Sequence, residues 1–226
     1  MSAGDHLREF AQYSELKQLA FNIATIQRQK MFHSLAVLSF FPGEGKTLFC
    51  ATAAMAYADA SRSRVLIVDT TTLQNQGSLH LQECLSPSWS SVDFMTMEEI
   101  RQGSNKISIH ESSQAEDERQ TVHEPEIVTN TRFKAVSGQK SDQNLLRMVT
   151  QEEAKSHGLV LLDTAPLNSK NKGNVDPLVV ARQSDASVLI ISRQLLNAAN
   201  VNDCLRIARD PSLRIIGLVG NEEFTS

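Results

Sequence analysis

The chain has 226 residues, 22 Lys+Arg against 26 Asp+Glu for a formal net charge of −4, and 41% hydrophobic residues. Its length reads as one compact unit over 1–226, large enough to bury ~70% of its unfolded surface without disulfide or metal staples. The acidic balance supplies no basic footprint for nucleic acid, the apolar content excludes whole-chain disorder, and no run of ~18 apolar residues encodes a membrane span.

In chain order, the first predicted element is an amphipathic helix from about Glu9 to Lys30, within an N-terminal segment 1–31. Phe10, Tyr13, Leu16, Leu19, Ile23 and Ile26 recur at three- and four-residue intervals and form one apolar stripe. The same segment lacks the uncharged apolar core of a secretion signal, and Cys50, Cys84 and Cys204 are widely spaced with no metal or disulfide pattern. A cytoplasmic setting is expected.

Leu35 to Phe40 is an apolar run that ends at Pro42-Gly-Glu-Gly45, the pattern of a buried strand closed by a turn. Thr47 to about Ala60 is alanine-rich and free of Pro and Gly, which favours helix. Arg64 to Val68 reads as a second buried strand with Asp69 at its end. From roughly 102 to 144 the composition turns polar and irregular; only Phe133 to Val136 has strand character, and the stretch reads as a surface excursion. Regular structure resumes with a helix near Gln143 to Lys155, strands at Leu159–Leu162, Val188–Ile191 and Ile215–Val219, and a helix at Ala199–Ala208. Apolar strands alternating with helices predict an α/β three-layer sandwich with a mainly parallel sheet.

The segment Phe41-Pro42-Gly43-Glu44-Gly45-Lys46-Thr47 lies between a predicted strand and helix. In that setting glycines let backbone N–H groups converge on anionic oxygens, Lys46 adds positive charge, the helix N-terminus adds its dipole, and Thr47 offers a hydroxyl to Mg²⁺. The match to a Walker A loop is partial, because a phenylalanine stands at position 40 where the full motif has glycine. Asp69 and Asp163 each follow an apolar strand, at the sheet edge where ligands of parallel sheets bind, so both carboxylates are candidates to face the loop and, with Thr47, to hold Mg²⁺. His6, His33, His80, His110, His123 and His157 show no metal-ligand spacing and are expected at surfaces or turns.

Pro42–Thr47, Val65–Asp69 and Leu159–Pro166 resemble the Walker A, A′ and B motifs of the bacterial tyrosine kinases of capsule and exopolysaccharide export, within the MinD/ParA class of P-loop ATPases. Ser184–Ile191 and Ile216–Asn221 are similar to the late strands of that family, so the resemblance covers nearly the whole chain apart from its polar middle. It implies a P-loop nucleotide-binding fold with ATP and Mg²⁺ as cofactors. Pro42, Gly43, Glu44, Gly45, Lys46, Thr47 and Leu48 then surround the phosphates, and Asn221 stands near the adenine. Lys46, Asp69 and Asp163 are the implied catalytic residues, and Thr47, Asp69 and Asp163 the implied metal ligands. The implied partner, besides nucleotide, is a membrane-embedded polysaccharide co-polymerase or activator, which would bring a cytoplasmic protein to the inner membrane.

Departures from the family pattern bear on the activity. The second acid of the A′ motif is replaced by Thr71, the chain ends Asn221-Glu-Glu-Phe-Thr-Ser226 without a tyrosine cluster, and only Tyr13 and Tyr57 are present. The first-helix Glu-x-x-Arg-x-x-Arg motif is reduced to Glu15, Gln18 and Phe21, so homo-oligomerisation of the family type is left open, and packing of the stripe on the protein's own sheet is an equal expectation. The sequence thus points to a weak ATPase or nucleotide-controlled partner. An active tyrosine kinase and a degenerate non-catalytic regulator are the two alternatives.

Overall fold

The strands that carry the candidate residues lie side by side in one parallel sheet. The computed structural model describes residues 14–71, 90–102, 142–171, 174–192 and 198–221. In chain order these form helix α1 (Ser14–Lys30), strand β1 (Ser34–Ser39), α2 (Lys46–Ser61), β2 (Val65–Asp69), β3 (Val92–Thr96), α3 (Asp142–Glu153), β4 (Leu159–Asp163), α4 (Pro177–Gln183), β5 (Ala186–Ser192), α5 (Ala198–Ala208) and β6 (Ile215–Asn221). The sheet order is β3-β2-β4-β1-β5-β6, and every pairing among the described strands is parallel.

Alternation along the strands sends successive side chains to opposite faces, and both faces are covered. On one face Leu35, Val37, Ile67 and Leu161 pack under α1 and α2; on the other Ala36, Leu38, Leu66 and Leu162 pack under α3 and α4. The result is the expected three-layer sandwich. The central strands β1, β2 and β4 are buried at every position, which explains why they read as unbroken apolar runs.

Helix α2 is buried on nearly all sides, from Lys46 through Ala58, because it is wedged between the sheet and α1. Its alanines let the backbones approach closely. The apolar stripe of α1 is directed inward: Ala20, Ile23 and Ala24 are buried against α2, with Leu19 and Ile26 packed beside them. The stripe packs within the chain, but chiefly on α2 rather than on the sheet as expected; Phe10 and Tyr13 lie outside the described residues, and Phe21 is left 57% exposed.

Three features differ from the sequence reading. Strand β3 and helix α4 are additional elements, and residues 97–102 begin another helical segment. Strand β3 is a sheet edge with half-buried central residues, so it lacks the apolar run that marks its neighbours. His157 is 8% exposed rather than at the surface, bonded through Nε2 to Asp93 at 2.9 Å and through Nδ1 to the Glu153 carbonyl at 3.1 Å. The predicted start of the first helix, the strand at Phe133–Val136 and most of the polar excursion lie outside the described residues.

Candidate functional site

Strand order assembles the site. Because β4 lies between β1 and β2, the loop that leaves β1 is next to the end of β4, and Asp69 and Asp163 are register partners on adjacent strands. Both stand at the same carboxyl edge of the sheet, where helix N-termini converge and parallel-sheet ligands bind.

The loop from Phe40 to Gly45 turns sharply into α2. Gly43 and Gly45 have φ of +80° and +86°, left-handed values that L-residues with a Cβ seldom adopt. A Cβ on Gly43 would meet nothing within 4 Å, so glycine is required there by its backbone conformation rather than by crowding. Gly45 also caps α2 without a side-chain bond, leaving the first N–H groups of that helix directed at the loop.

Lys46 is 8% exposed, and its Nζ donates to Ser39 Oγ at 2.7 Å. Burial holds its ammonium below the usual lysine range, opposed by the nearby charges of Asp163 and Glu44. Thr47 Oγ1 donates to Asp163 Oδ2 at 2.6 Å. Asp163 is 2% exposed, and its other oxygen, Oδ1, is buried without a hydrogen-bond partner. Burial pushes its carboxyl up to about 6; the Lys46 charge and the Thr47 hydroxyl pull the other way, and Asp69 adds a smaller upward push.

Asp69 is also buried. Its Oδ1 accepts from Thr71 N at 2.8 Å and from Thr71 Oγ1 at 2.7 Å, so the residue that replaces the second A′ acid donates to the first. Thr70 N and Oγ1 both donate to the Asp163 carbonyl, at 3.0 and 2.9 Å, and tie the end of β2 to the end of β4.

A cavity of about 840 Å³ opens over this edge. That volume is within the range of small-molecule pockets. Pro42, Gly43, Gly45, Lys46, Thr47 and Leu48 form one wall; Thr71, Thr164, Pro166 and the run 168–171 form the other. The second wall is fixed to the loop by Leu167 N to Ser39 O at 2.9 Å and Asn168 N to Phe40 O at 3.2 Å. Thr164 and Pro166 belong to the segment that resembles the B motif, whereas Asn168, Ser169 and Asn171 carry no motif that the sequence reading singled out. Lys170 lines the cavity, whereas Lys172 lies outside the described residues.

The structure therefore brings Pro42, Gly43, Gly45, Lys46, Thr47, Leu48, Asp69 and Asp163 to one sheet edge. Glu44 and Asn221 stand there differently. The Glu44 side chain turns inward, 2% exposed, and Asn221 Nδ2 donates to the Glu44 carbonyl at 3.0 Å. Glu44 can reach the cavity only through its backbone.

The donor chemistry fits a hard divalent cation. A partnerless carboxylate oxygen on Asp163, the Asp69 carboxylate and the Thr47 hydroxyl are the oxygen ligands Mg²⁺ accepts, and Mg²⁺ characteristically uses one or two carboxylates alongside substrate phosphates. Among the described residues no three His, Cys, Asp or Glu side chains gather into a closed metal cage.

No protein-family model and no curated protein matches this sequence. Solved structures do match its architecture. The kinase domain of the Escherichia coli tyrosine kinase ETK superposes with a TM-score of 0.58 at 17% identity, covering 93% of this chain and 75% of that one. The BceF tyrosine kinase domain gives 0.55 at 13%, over 92% and 76%, and the VpsO kinase domain gives 0.54 at 15%, over 96% of each chain. The chain has the fold of a bacterial tyrosine-kinase domain. At these identities the likeness is one of architecture, and it extends the resemblance first carried by Pro42–Thr47 and the two strand-end aspartates to the whole kinase-like, P-loop α/β sandwich.

Proposed function

We propose that this protein binds ATP with Mg²⁺ at the β1–α2 loop and uses it slowly, as a weak ATPase or a nucleotide-controlled partner in exopolysaccharide synthesis or export. The observation that carries the reading is the contact between the Thr47 hydroxyl and the buried Asp163, beside Lys46 at the head of a loop whose glycines hold left-handed φ. Backbone N–H groups of residues 43–47 and the Lys46 ammonium cradle the β- and γ-phosphates; Thr47 and Asp163, with Asp69 acting through water, hold the metal. Bound Mg²⁺ neutralises the charge that develops on the transferring phosphoryl group.

Slow turnover follows from Thr71. Phosphoryl transfer is accelerated by a carboxylate that orients or deprotonates the nucleophile. A threonine hydroxyl accepts no proton near neutral pH, and here it already donates to Asp69. An active tyrosine kinase is the second reading, favoured by the kinase-domain architecture. We assign the membrane-embedded polysaccharide machinery as partner on the family resemblance alone. No described helix is long and apolar enough to cross a membrane.

Incubation with γ-labelled ATP and Mg²⁺ separates the readings. Labelled free phosphate, released slowly and without labelled protein, is the expected result. Phosphotyrosine on this chain or on an added partner would establish the kinase instead, and no saturable nucleotide binding would leave a regulator that acts by contact.

A further inference from the structure

The phosphate loop is held from behind by a single carboxylate. Glu44 sits between the two left-handed glycines, yet its side chain points away from the cavity. Its Oε2 accepts from the backbone N–H groups of Phe40 at 2.7 Å and Phe41 at 2.8 Å, the two residues that lead into the loop. Its Oε1 accepts from Ser192 N at 3.0 Å, at the end of β5. Its own carbonyl accepts from Asn221 Nδ2 at 3.0 Å, at the end of β6. The exit of β1 and the ends of β5 and β6 thus converge on one residue.

We infer that Glu44 is the positioning residue of this loop, with Asn221 as its second anchor. Together they fix the loop's N–H groups in an anion-binding shape and thereby set its affinity for polyphosphate. The inference rests on the nucleotide-binding reading above. Two arguments carry it. A buried negative charge next to an anion site opposes anion binding by Coulomb repulsion, so an inward carboxylate is a liability unless the geometry it imposes outweighs that repulsion. And the motif lacks its usual first glycine: Phe40 occupies that place, packed against the core of the sheet, so its N–H cannot swing freely and is instead fixed by Glu44. The carboxylate supplies four lone-pair sites to three amide donors. A glutamine of the same size supplies one oxygen and sets an NH₂ against N–H groups.

The two effects give opposite signs for Glu44→Gln, which makes the test decisive. Affinities of the full chain for Mg–ATP and for tripolyphosphate, which has no base or sugar, are measured by calorimetry at a temperature where thermal melts show each variant folded. Positioning predicts that E44Q weakens both ligands by about tenfold or more, and that Glu44→Asp recovers part of the loss. Equal or tighter binding by E44Q means that repulsion dominates, and overturns the inference. Asn221→Ala keeps the test valid if E44Q does not fold: weaker tripolyphosphate binding supports the loop-anchor role, whereas a loss confined to ATP assigns Asn221 to the base and overturns it. Wild-type protein that binds neither ligand refutes the nucleotide reading and the inference together, whereas wild-type binding with unchanged variants refutes the inference only.

Discussion

The two ends of the sheet treat their polar groups in opposite ways. At the amino end the exposed Asp185 accepts through Oδ2 from His33 N, Ser34 N and the buried Ser34 Oγ, each at 2.9 Å, and the buried His157 is bonded on both ring nitrogens. At the carboxyl end Asp163 is buried with one oxygen unpaired and its carboxyl pushed up to about 6. Buried polar groups whose partners are complete stabilise a fold, and those left incomplete are destabilising unless something else completes them. Among the described residues the amino end is finished by the chain itself except at the Ser187 hydroxyl, which is buried without a partner. The carboxyl end is strained in a manner that a cation and phosphates would relieve.

The sharpest way to break this contrast is Asp163→Asn in the ligand-free protein. The folded pKa of about 6 is above the ordinary 3.8, so between those values the native state binds more protons than the unfolded state. Stability from this group is therefore highest below about pH 4 and falls as pH rises through about 6. At neutral pH the penalty is on the order of 3 kcal/mol, using about 1.4 kcal/mol per pH unit. D163N should raise the melting temperature above pH 6, leave it nearly unchanged near pH 4, and abolish metal-dependent nucleotide binding. Loss of stability at pH 7 would show that Asp163 is a satisfied structural acid.

Asp185→Ala should do the reverse. It removes the shared acceptor of two backbone N–H groups and a hydroxyl at a partly exposed site, so unfolding free energy should fall by about 2 kcal/mol at most, while Mg–ATP affinity measured below the melting range stays within about twofold. A large affinity loss would mean that the two ends are coupled.

Gly43→Ala tests the loop more gently. The position has open space, so the strain comes from φ of +80° alone, about 1–2 kcal/mol. The variant should be modestly less stable and bind polyphosphate more weakly.

The smallest effect is expected at His157. Burial works against its charged form, but hydrogen bonds to Glu153 and Asp93 outweigh it and hold the imidazolium above the ordinary range. Its stabilising contribution is complete below about pH 6.5 and fades as pH rises through the raised value. His157→Gln should flatten that slope in denaturant melts from pH 6 to 8; an unchanged slope assigns the titration elsewhere.

The parts of this protein that could be read from its sequence are those fixed by short-range chemistry. β1, β2 and β4 are buried on both faces and declare themselves as apolar runs, and the glycines, Lys46 and Thr47 follow within a few residues. β3 was hidden because an edge strand needs no apolar run and carries Asp93 facing Arg64. α4 is only seven residues long, yet Asp176-Pro177 was a usable signal: Asp176 caps the helix by accepting from Leu178 N at 2.9 Å. The roles of Glu44, Asn221 and His157 depend on partners far along the chain, 148, 177 and 64 residues away, and no local pattern encodes such contacts.

The central claim is that the carboxyl edge is completed by a magnesium-bound nucleotide. Calorimetric titration of Mg–ATP into wild-type protein and Lys46→Ala tests it most directly. Saturable wild-type binding that weakens by about 100-fold in the variant, roughly 2.7 kcal/mol, is the predicted result; equal affinity in the two proteins would contradict the account.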